Sequence, residues 1–226
     1  MASPVGYQNF CPVGAALNVI GERWALLIIR DLFLGPRRYS DLVKGLGGIP
    51  TDILAARLRT LQEQGVVRQA GEGRARRYEL TESGQALGPV LRELGQWGAD
   101  RLKLPANPAE IPTRVPLTSL LLGGAPYPRQ ANGQYEVHVA EETTRVEVVA
   151  GQIHAAPDSE PDTTIELNRA GMRALILGAS ASEIEQAGDL SIRGNRRRAH
   201  AFLNALTGPP RLAVLRQQLE ATAADA

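Results

Sequence analysis

The sequence predicts an α+β protein in two parts: a helical N-terminal half closed by a small β-hairpin, then a C-terminal half of mixed α/β pattern. Three observations carry this reading. Apolar residues recur at helical spacing between Ala16 and Leu61. Strict alternation begins at Tyr135, Val137 and Val139, the period of a half-buried strand. Between these regions, residues 103–116 (KLPANPAEIPTRVP) are rich in proline, which removes backbone donors and interrupts helices. The expected division is residues 1–104, a linker at 105–116, and a second domain at 117–226.

A chain of 226 residues suits two domains, since one takes about 100–150 residues. With 43% hydrophobic and 22% charged residues, the composition is that of a folded soluble chain. The longest aliphatic run extends only from Ala25 to Ile29, whereas a membrane helix needs about 20 apolar residues. No basic segment followed by an apolar one opens the chain, so a cytoplasmic location and no membrane partner are expected. The single cysteine, Cys11, excludes a disulfide within the chain and a structural zinc set. His138, His154 and His200 lack metal-ligand spacing, and no Gly-x-Ser-x-Gly, P-loop or dinucleotide fingerprint occurs. No catalytic residue, metal or cofactor is therefore expected. Aromatics make up 4% of the chain, leaving aliphatic side chains to fill the cores.

In the first half, Ala16, Leu17 and Ile20 mark one helix. Trp24, Leu27, Ile28 and Leu32 mark a second, separated from the first by Gly21. Gly35-Pro36 stops it. Tyr39, Leu42, Val43 and Leu46 form the stripe of a short third helix, ended by Gly45, Gly47 and Gly48. Thr51 offers an N-cap oxygen to a fourth. That helix carries Leu54, Leu58 and Leu61 on one face and Asp52, Ala55, Ala56, Arg59 and Gln62 on the other, with Arg57 at the margin. Residues 66–69 and 76–80 read as two strands around the glycine-rich turn GEGRA. Thr81 caps a long fifth helix with Leu87, Val90, Leu91, Leu94, Trp97 and Leu102 along one side and a local kink at Pro89. Its four glycines cost helix propensity, so it needs close packing, for which a second copy of itself is a good candidate.

This order of elements is that of a winged helix-turn-helix, and the charges suit DNA. Residues 37–77 hold nine basic and four acidic side chains, an excess that the overall charge of +1 conceals. A helix about 10–12 Å wide fits a major groove about 12 Å wide. Ala55 and Ala56 let the backbone approach bases, and Arg57 and Arg59 have the reach for guanine edges or phosphates. Arg74, Arg76 and Arg77 on the hairpin have the reach for a minor groove or backbone. By themselves these arginines would read as a solubilising surface; their place beside such a helix turns the reading toward DNA. Thr51 serves a cap or a phosphate, and Asp52 suits the helix dipole better than a cytosine.

Residues 11–67, CPVGAALNVIGERWALLIIRDLFLGPRRYSDLVKGLGGIPTDILAARLRTLQEQGVV and onward to RRYELTESG, resemble the HxlR family of bacterial winged-helix transcription regulators. The resemblance spans about residues 10–104. It implies a homodimer built from the first and fifth helices, with Leu17, Leu91, Leu94 and Trp97 at the interface. It also implies a pseudo-palindromic double-stranded DNA operator, contacted by Arg37, Arg38, Ser40, Thr51, Asp52, Ala55, Arg57, Arg59, Arg74, Arg76 and Arg77. Pro50 departs from the serine of many relatives, which leaves the cap and the base-reading register open. Cys11 has two readings. One is a small buried hydrophobe; the other is a redox or electrophile sensor, as in some family members, favoured by a helix start at Pro12 but not by any local positive charge.

In the second half, four strands in a meander are expected near residues 135–139, 144–149, 153–156 and 163–167. Asn168 opens a helix with Met172, Leu175 and Ile176, and Ser180 or Ser182 caps a short one. A fifth strand at 190–194 precedes a helix capped by Asn195 and a last helix near 210–221. With DTTIELNRAGMRALILG and GDLSIRGN, this pattern resembles the sterol-carrier-protein type 2 fold over residues 115–207. The resemblance implies an apolar cavity for a hydrophobic small-molecule effector, although a collapsed core would give the same pattern. Arg196, Arg197 and Arg198, with Arg193 nearby, suit a solvated helix start or an acidic group. The resulting expectation is a dimeric DNA-binding transcription regulator, a repressor, whose second domain binds an effector or supports the dimer. The rival is a lipid- or acyl-group carrier whose winged helix docks a protein.

Overall fold

The computed structural model describes residues 6–7, 10–99, 101, 113–123, 126–156 and 159–207. The expected end of the fifth helix at Leu102, most of the expected linker and the last helix near 210–221 lie outside these residues. The chain divides into two compact units, residues 1–88 and 89–226.

In the first unit, α1 (Pro12–Ile20), α2 (Ala25–Phe33), α3 (Tyr39–Leu46) and α4 (Thr51–Glu63) precede the hairpin β1 (Val67–Ala70) and β2 (Arg77–Leu80). Helix α2 is the centre of the core: Ile28, Ile29 and Leu32 have no exposed surface. Around it are buried Leu42 and Leu46 of α3, Leu54, Leu58 and Leu61 of α4, and Val67 opposite Leu80 in the hairpin. The stripes read for α3 and α4 are thus buried at their leucines, whereas Ala16 and Leu17 of α1 and Leu27 of α2, read as parts of the first two stripes, are exposed. Arg37 and Tyr78 exchange backbone hydrogen bonds at 2.8 and 2.7 Å, which ties the segment before α3 to the hairpin.

Thr81 caps as expected, accepting from Gly84 N at 3.2 Å while its hydroxyl donates to Gly65 O at 2.6 Å. The helix it starts is only α5 (Glu82–Gln85), not the long fifth helix expected. A separate helix, α6 (Gly88–Ala99), follows. Pro89 is the reason. It lacks an N–H to bond Gln85 O, and its ring crowds that carbonyl, so one helix cannot run through both positions. In the first turn of α6 the missing donor costs nothing. At Gly84 a Cβ would lie 2.3 Å from Val66 O, so only glycine lets α5 approach the hairpin.

The second unit also contains α7 (Arg114–Gly123), β3 (Gly133–Val139), β4 (Glu142–Val149), β5 (Gln152–Ala155), β6 (Thr163–Leu167), α8 (Arg169–Leu177), α9 (Ala181–Gln186), β7 (Leu190–Gly194) and α10 (Arg196–Thr207). Helix α7 occupies the end of the expected linker. Pro116 lies in its first turn, and Leu117 N is already bonded to Thr113 O, so the proline forfeits no helical bond. The sheet order is β5-β4-β3-β6-β7. Only β3, β4 and β5 form a meander. The fourth strand was expected to extend it; instead β6 returns to pair parallel with β3, Val137 opposite Ile165.

One sheet face is apolar and covered. Tyr135, Val137, Val139, Val146, Val148, Ile153 and Ile165 are buried on it, and α8 and α10 pack against β6. Phe202 of α10, fully buried, stacks on Tyr135 at 4.2 Å and on Tyr127 at 5.4 Å between ring centroids. The phenols are satisfied: Tyr135 Oη donates to Ala131 O at 2.6 Å and Tyr127 Oη to Leu121 O at 2.9 Å. Burial pushes both phenols well above the ordinary tyrosine range. The caps read from the sequence are present at Asn168, Ser180 and Asn195.

Thr163, 1% exposed, is an exception to this satisfaction. Its hydroxyl has no hydrogen-bond partner among the described residues. Thr163→Val replaces an unpaired buried hydroxyl by a methyl in a strand, and is expected to raise stability by about 1 kcal/mol. Equilibrium denaturant unfolding measures this; a loss of stability would show that the hydroxyl is bonded.

Candidate nucleic-acid interface

The interface is assembled from α3, α4 and the hairpin. Leu54 N donates to Pro50 O at 2.9 Å, so Pro50 is the N-cap of α4 and Thr51 its first helical residue. The expected cap by the Thr51 oxygen is therefore absent: proline has no side-chain acceptor, and the threonine sits one position too late. Thr51 is exposed, and its carbonyl accepts a 2.6 Å bond from Tyr39 Oη. This bond locks the start of α3 to the start of α4. Tyr39 was legible only as part of an apolar stripe, and its hydroxyl carries the second role.

With Leu54, Leu58 and Leu61 turned inward, helical periodicity turns Asp52, Ala55, Ala56 and Arg59 outward, and all four are exposed. At the start of α3, Arg38, Tyr39 and Ser40 face Gly73, Arg76 and Tyr78 of the hairpin across an open recess of about 390 Å³. Arg38, Arg76 and Arg77 are exposed, and Arg37 is half-buried. Arg38, Arg59, Arg76 and Arg77 make no ion pair among the described residues. Arg74 belongs to the 3-10 turn Gly73–Ala75 at the hairpin tip; its side chain lies outside the described residues. Arg68, in contrast, is paired with Glu79 at 2.6 Å.

Arg57 does not join this surface. Its Nη2 lies 2.9 Å from Glu22 Oε2 on the α1–α2 elbow, and its side chain is 24% exposed. Position 57 falls between the buried stripe and the outer face, and the carboxylate decides which way it turns. Glu22 gave no signal in the sequence, because partners so far apart in the chain share no local period.

The residues expected at a subunit interface are accessible. Leu17 on α1 and Leu94 and Trp97 on α6 are exposed, and Leu91 is half-buried. Arg101 lies 3.9 Å from the Trp97 ring centroid. Cys11 is exposed and occupies the N-cap position of α1, which corrects the reading as a buried hydrophobe. Among the described residues, no element packs over the thiol to bury it.

In the second unit, Arg193, Arg196 and Arg198 are paired with Glu166, Glu185 and Asp162 at 2.7–2.9 Å, while Arg197 of that basic run is exposed without an ion pair among the described residues. Glu185 also accepts from His200 at 2.8 Å. On the open sheet face, Arg145 beside Glu136 holds its carboxyl below the usual range. An open recess of about 440 Å³ there is lined by polar groups, including His138, Glu166 and Asp189. No metal-binding cluster occurs among the described residues. No single helix among them is long and apolar enough to cross a membrane.

A short helix locked to an outward-facing second helix, with a basic hairpin beside them, defines a winged helix-turn-helix protein. Residues 19–105 match the HxlR-like helix-turn-helix family. The HTH-type transcriptional regulator Rv3095 of Mycobacterium tuberculosis is 42% identical over 99 residues, covering 42% of this chain and 62% of that regulator. The chain thus spans less than two thirds of that relative's length. YodB of Bacillus subtilis, also an HTH-type transcriptional regulator, is 35% identical over 104 residues, covering 44% of this chain and 92% of YodB. The crystal structure of quinone-bound YodB is 34% identical, covers 41% of this chain and 100% of its own, and superposes with a TM-score of 0.36. The crystal structure of PA1607 is 44% identical, covering 44% of this chain and 71% of its own, with a TM-score of 0.40. The chain belongs to the HxlR-like helix-turn-helix family.

Proposed function

We propose that this protein is a dimeric, sequence-specific transcription regulator that binds a pseudo-palindromic double-stranded DNA operator and represses by occupying it. One observation carries the reading: the outer face of α4, with Ala55 and Arg59 exposed, is locked through Tyr39 to a recess lined by Arg38 and Arg76. A small-sided helix face reads bases, while the flanking cations hold the sugar-phosphate backbone. Exposed apolar residues on α1 and α6 support pairing with a second copy.

The second unit either supports the dimer or takes a hydrophobic effector. A sheet with helices on its apolar face is compatible with the sterol-carrier-like architecture of the second reading. Phe202, Tyr135 and Tyr127 fill the space beneath α10, which favours dimer support. The domain boundaries at 104 and 117 belong to the same proposal. An effector, whether a quinone-like electrophile at Cys11 or an apolar ligand, acts only by binding one arrangement of the two recognition helices more tightly than another. Catalysis forms no part of this reading.

Selection of bound fragments from random DNA, with native mass spectrometry of the purified protein, tests it. The expected outcome is a two-part site with half-sites about one helical turn apart and a protein of twice the chain mass. A monomer that enriches no sequence would overturn the proposal. Any ligand or thiol adduct appears in the same mass spectrum.

A further inference from the structure

We propose that Glu22 is a positioning residue for DNA recognition: through Arg57 it fixes the recognition helix α4 to the elbow between α1 and α2, and Arg57 itself contacts no DNA. This deepens the DNA-binding reading and rests on it.

The elbow is a defined structure. Gly21 N donates to Leu17 O at 2.8 Å, and a Cβ at Gly21 would lie 2.4 Å from that oxygen, so the chain leaves α1 along one path. Trp24 then adopts a left-handed conformation, φ 81°, which a non-glycine residue holds only where its surroundings over-determine it. Ala25 N bonds Glu22 O at 3.1 Å and Ile28 N bonds Trp24 O at 2.9 Å, which leads directly into α2. Glu22 projects from this turn to Arg57.

Arg57 is held tightly for a surface cation. Its Nη2 is paired at 2.9 Å, and its Nε is buried without a hydrogen-bond partner among the described residues. To reach a phosphate the guanidinium would have to break the Glu22 pair and leave its packed position. Arg59, two positions on, is exposed and makes no ion pair among the described residues, so it meets neither obstacle. The pair also gives α1 a route to α4. A shift of α1, which carries Cys11 at its N-cap and Leu17 on its exposed face, moves the elbow and with it Glu22. The recognition helix follows through Arg57.

The two roles of Arg57 predict opposite signs. The probes are the duplex that the wild-type protein selects from a random pool and a scrambled duplex of the same length and composition. Affinities of the full chain, Glu22→Gln, Arg57→Gln and the double variant are measured over a range of salt. Under positioning, each single variant binds the selected duplex about three- to tenfold more weakly and the scrambled duplex unchanged. The salt slope is unchanged, and the double variant is no worse than either single. The conservative Glu22→Asp variant restores part of the loss. If Arg57 instead touches a phosphate, Arg57→Gln lowers the salt slope by about 0.9 and weakens both duplexes, while Glu22→Gln tightens both. That pattern overturns the inference, as do unchanged affinities in all variants. A denaturant unfolding cycle of the same four proteins reads the pair without DNA. Additive effects there reject the link, and failure of the wild type to select any duplex rejects the DNA-binding reading separately.

Discussion

Arg59→Ala is expected to cost about 1–3 kcal/mol of affinity for the selected duplex and to relax base preference at one position in each half-site. The side chain stands on the exposed face of α4, in line with Ala55 and Asp52, and makes no ion pair among the described residues. Arg76→Ala is expected to behave differently. It faces the recess beside Arg38 and Ser40, a place for backbone phosphate, so its loss should weaken selected and unrelated duplexes alike. Each phosphate contact removed should lower the salt slope by about 0.9. Fluorescence anisotropy over a salt series separates the two. Undiminished binding by both variants would remove the assigned surface from consideration.

Phe202→Ala is expected to be the most damaging single change to stability. The ring is fully buried and stacks on two tyrosines, so truncation removes transfer free energy, two aromatic contacts and packing at once. The expected loss is about 3–5 kcal/mol in denaturant unfolding, and Phe202→Leu should cost less. The variant also probes the effector question. A cavity opened under α10 would be apolar and should bind a small aromatic probe. If the wild type binds that probe as well as Phe202→Ala does, the stack does not fill the space beneath α10, and the interior already admits ligands.

The sequence made the buried stripes of α3 and α4 legible because helix period and burial coincide there, which they do not at Leu17 and Leu27. Leu42 and Leu46, then Leu54, Leu58 and Leu61, are inward in both descriptions. Three features escaped it, each for a physical reason. Proline density around residue 110 argued against helix, yet Pro116 falls in the one turn of α7 that needs no donor. Pro89 announced a kink, but its effect on the bond from residue 89 to Gln85 was a complete break between α5 and α6. The alternation at 163–167 identified a strand without its neighbour, because pairing between distant segments leaves no local mark; β6 lies beside β3, not beside β5. Residue types and spacing pointed to Arg59 and Arg76 and the family resemblance to Arg38, and all three are exposed. Only three-dimensional proximity could pair Arg57 with Glu22 or give the Tyr39 hydroxyl its carbonyl.

The return of β6 to the flank of β3 also governs when each part of the molecule can become complete during synthesis. The first unit closes on partners near in sequence, so all its strands are available once Leu80 has left the ribosome. The larger sheet cannot close its middle until residues 163–167 emerge, nor cover that strand until 190–194 follow. Through that interval β3 offers an open row of donors and acceptors to any passing chain. Loop-closure entropy makes its proper partner the slow one to arrive. Nascent chains halted between β5 and β6 are therefore the species most exposed to aggregation.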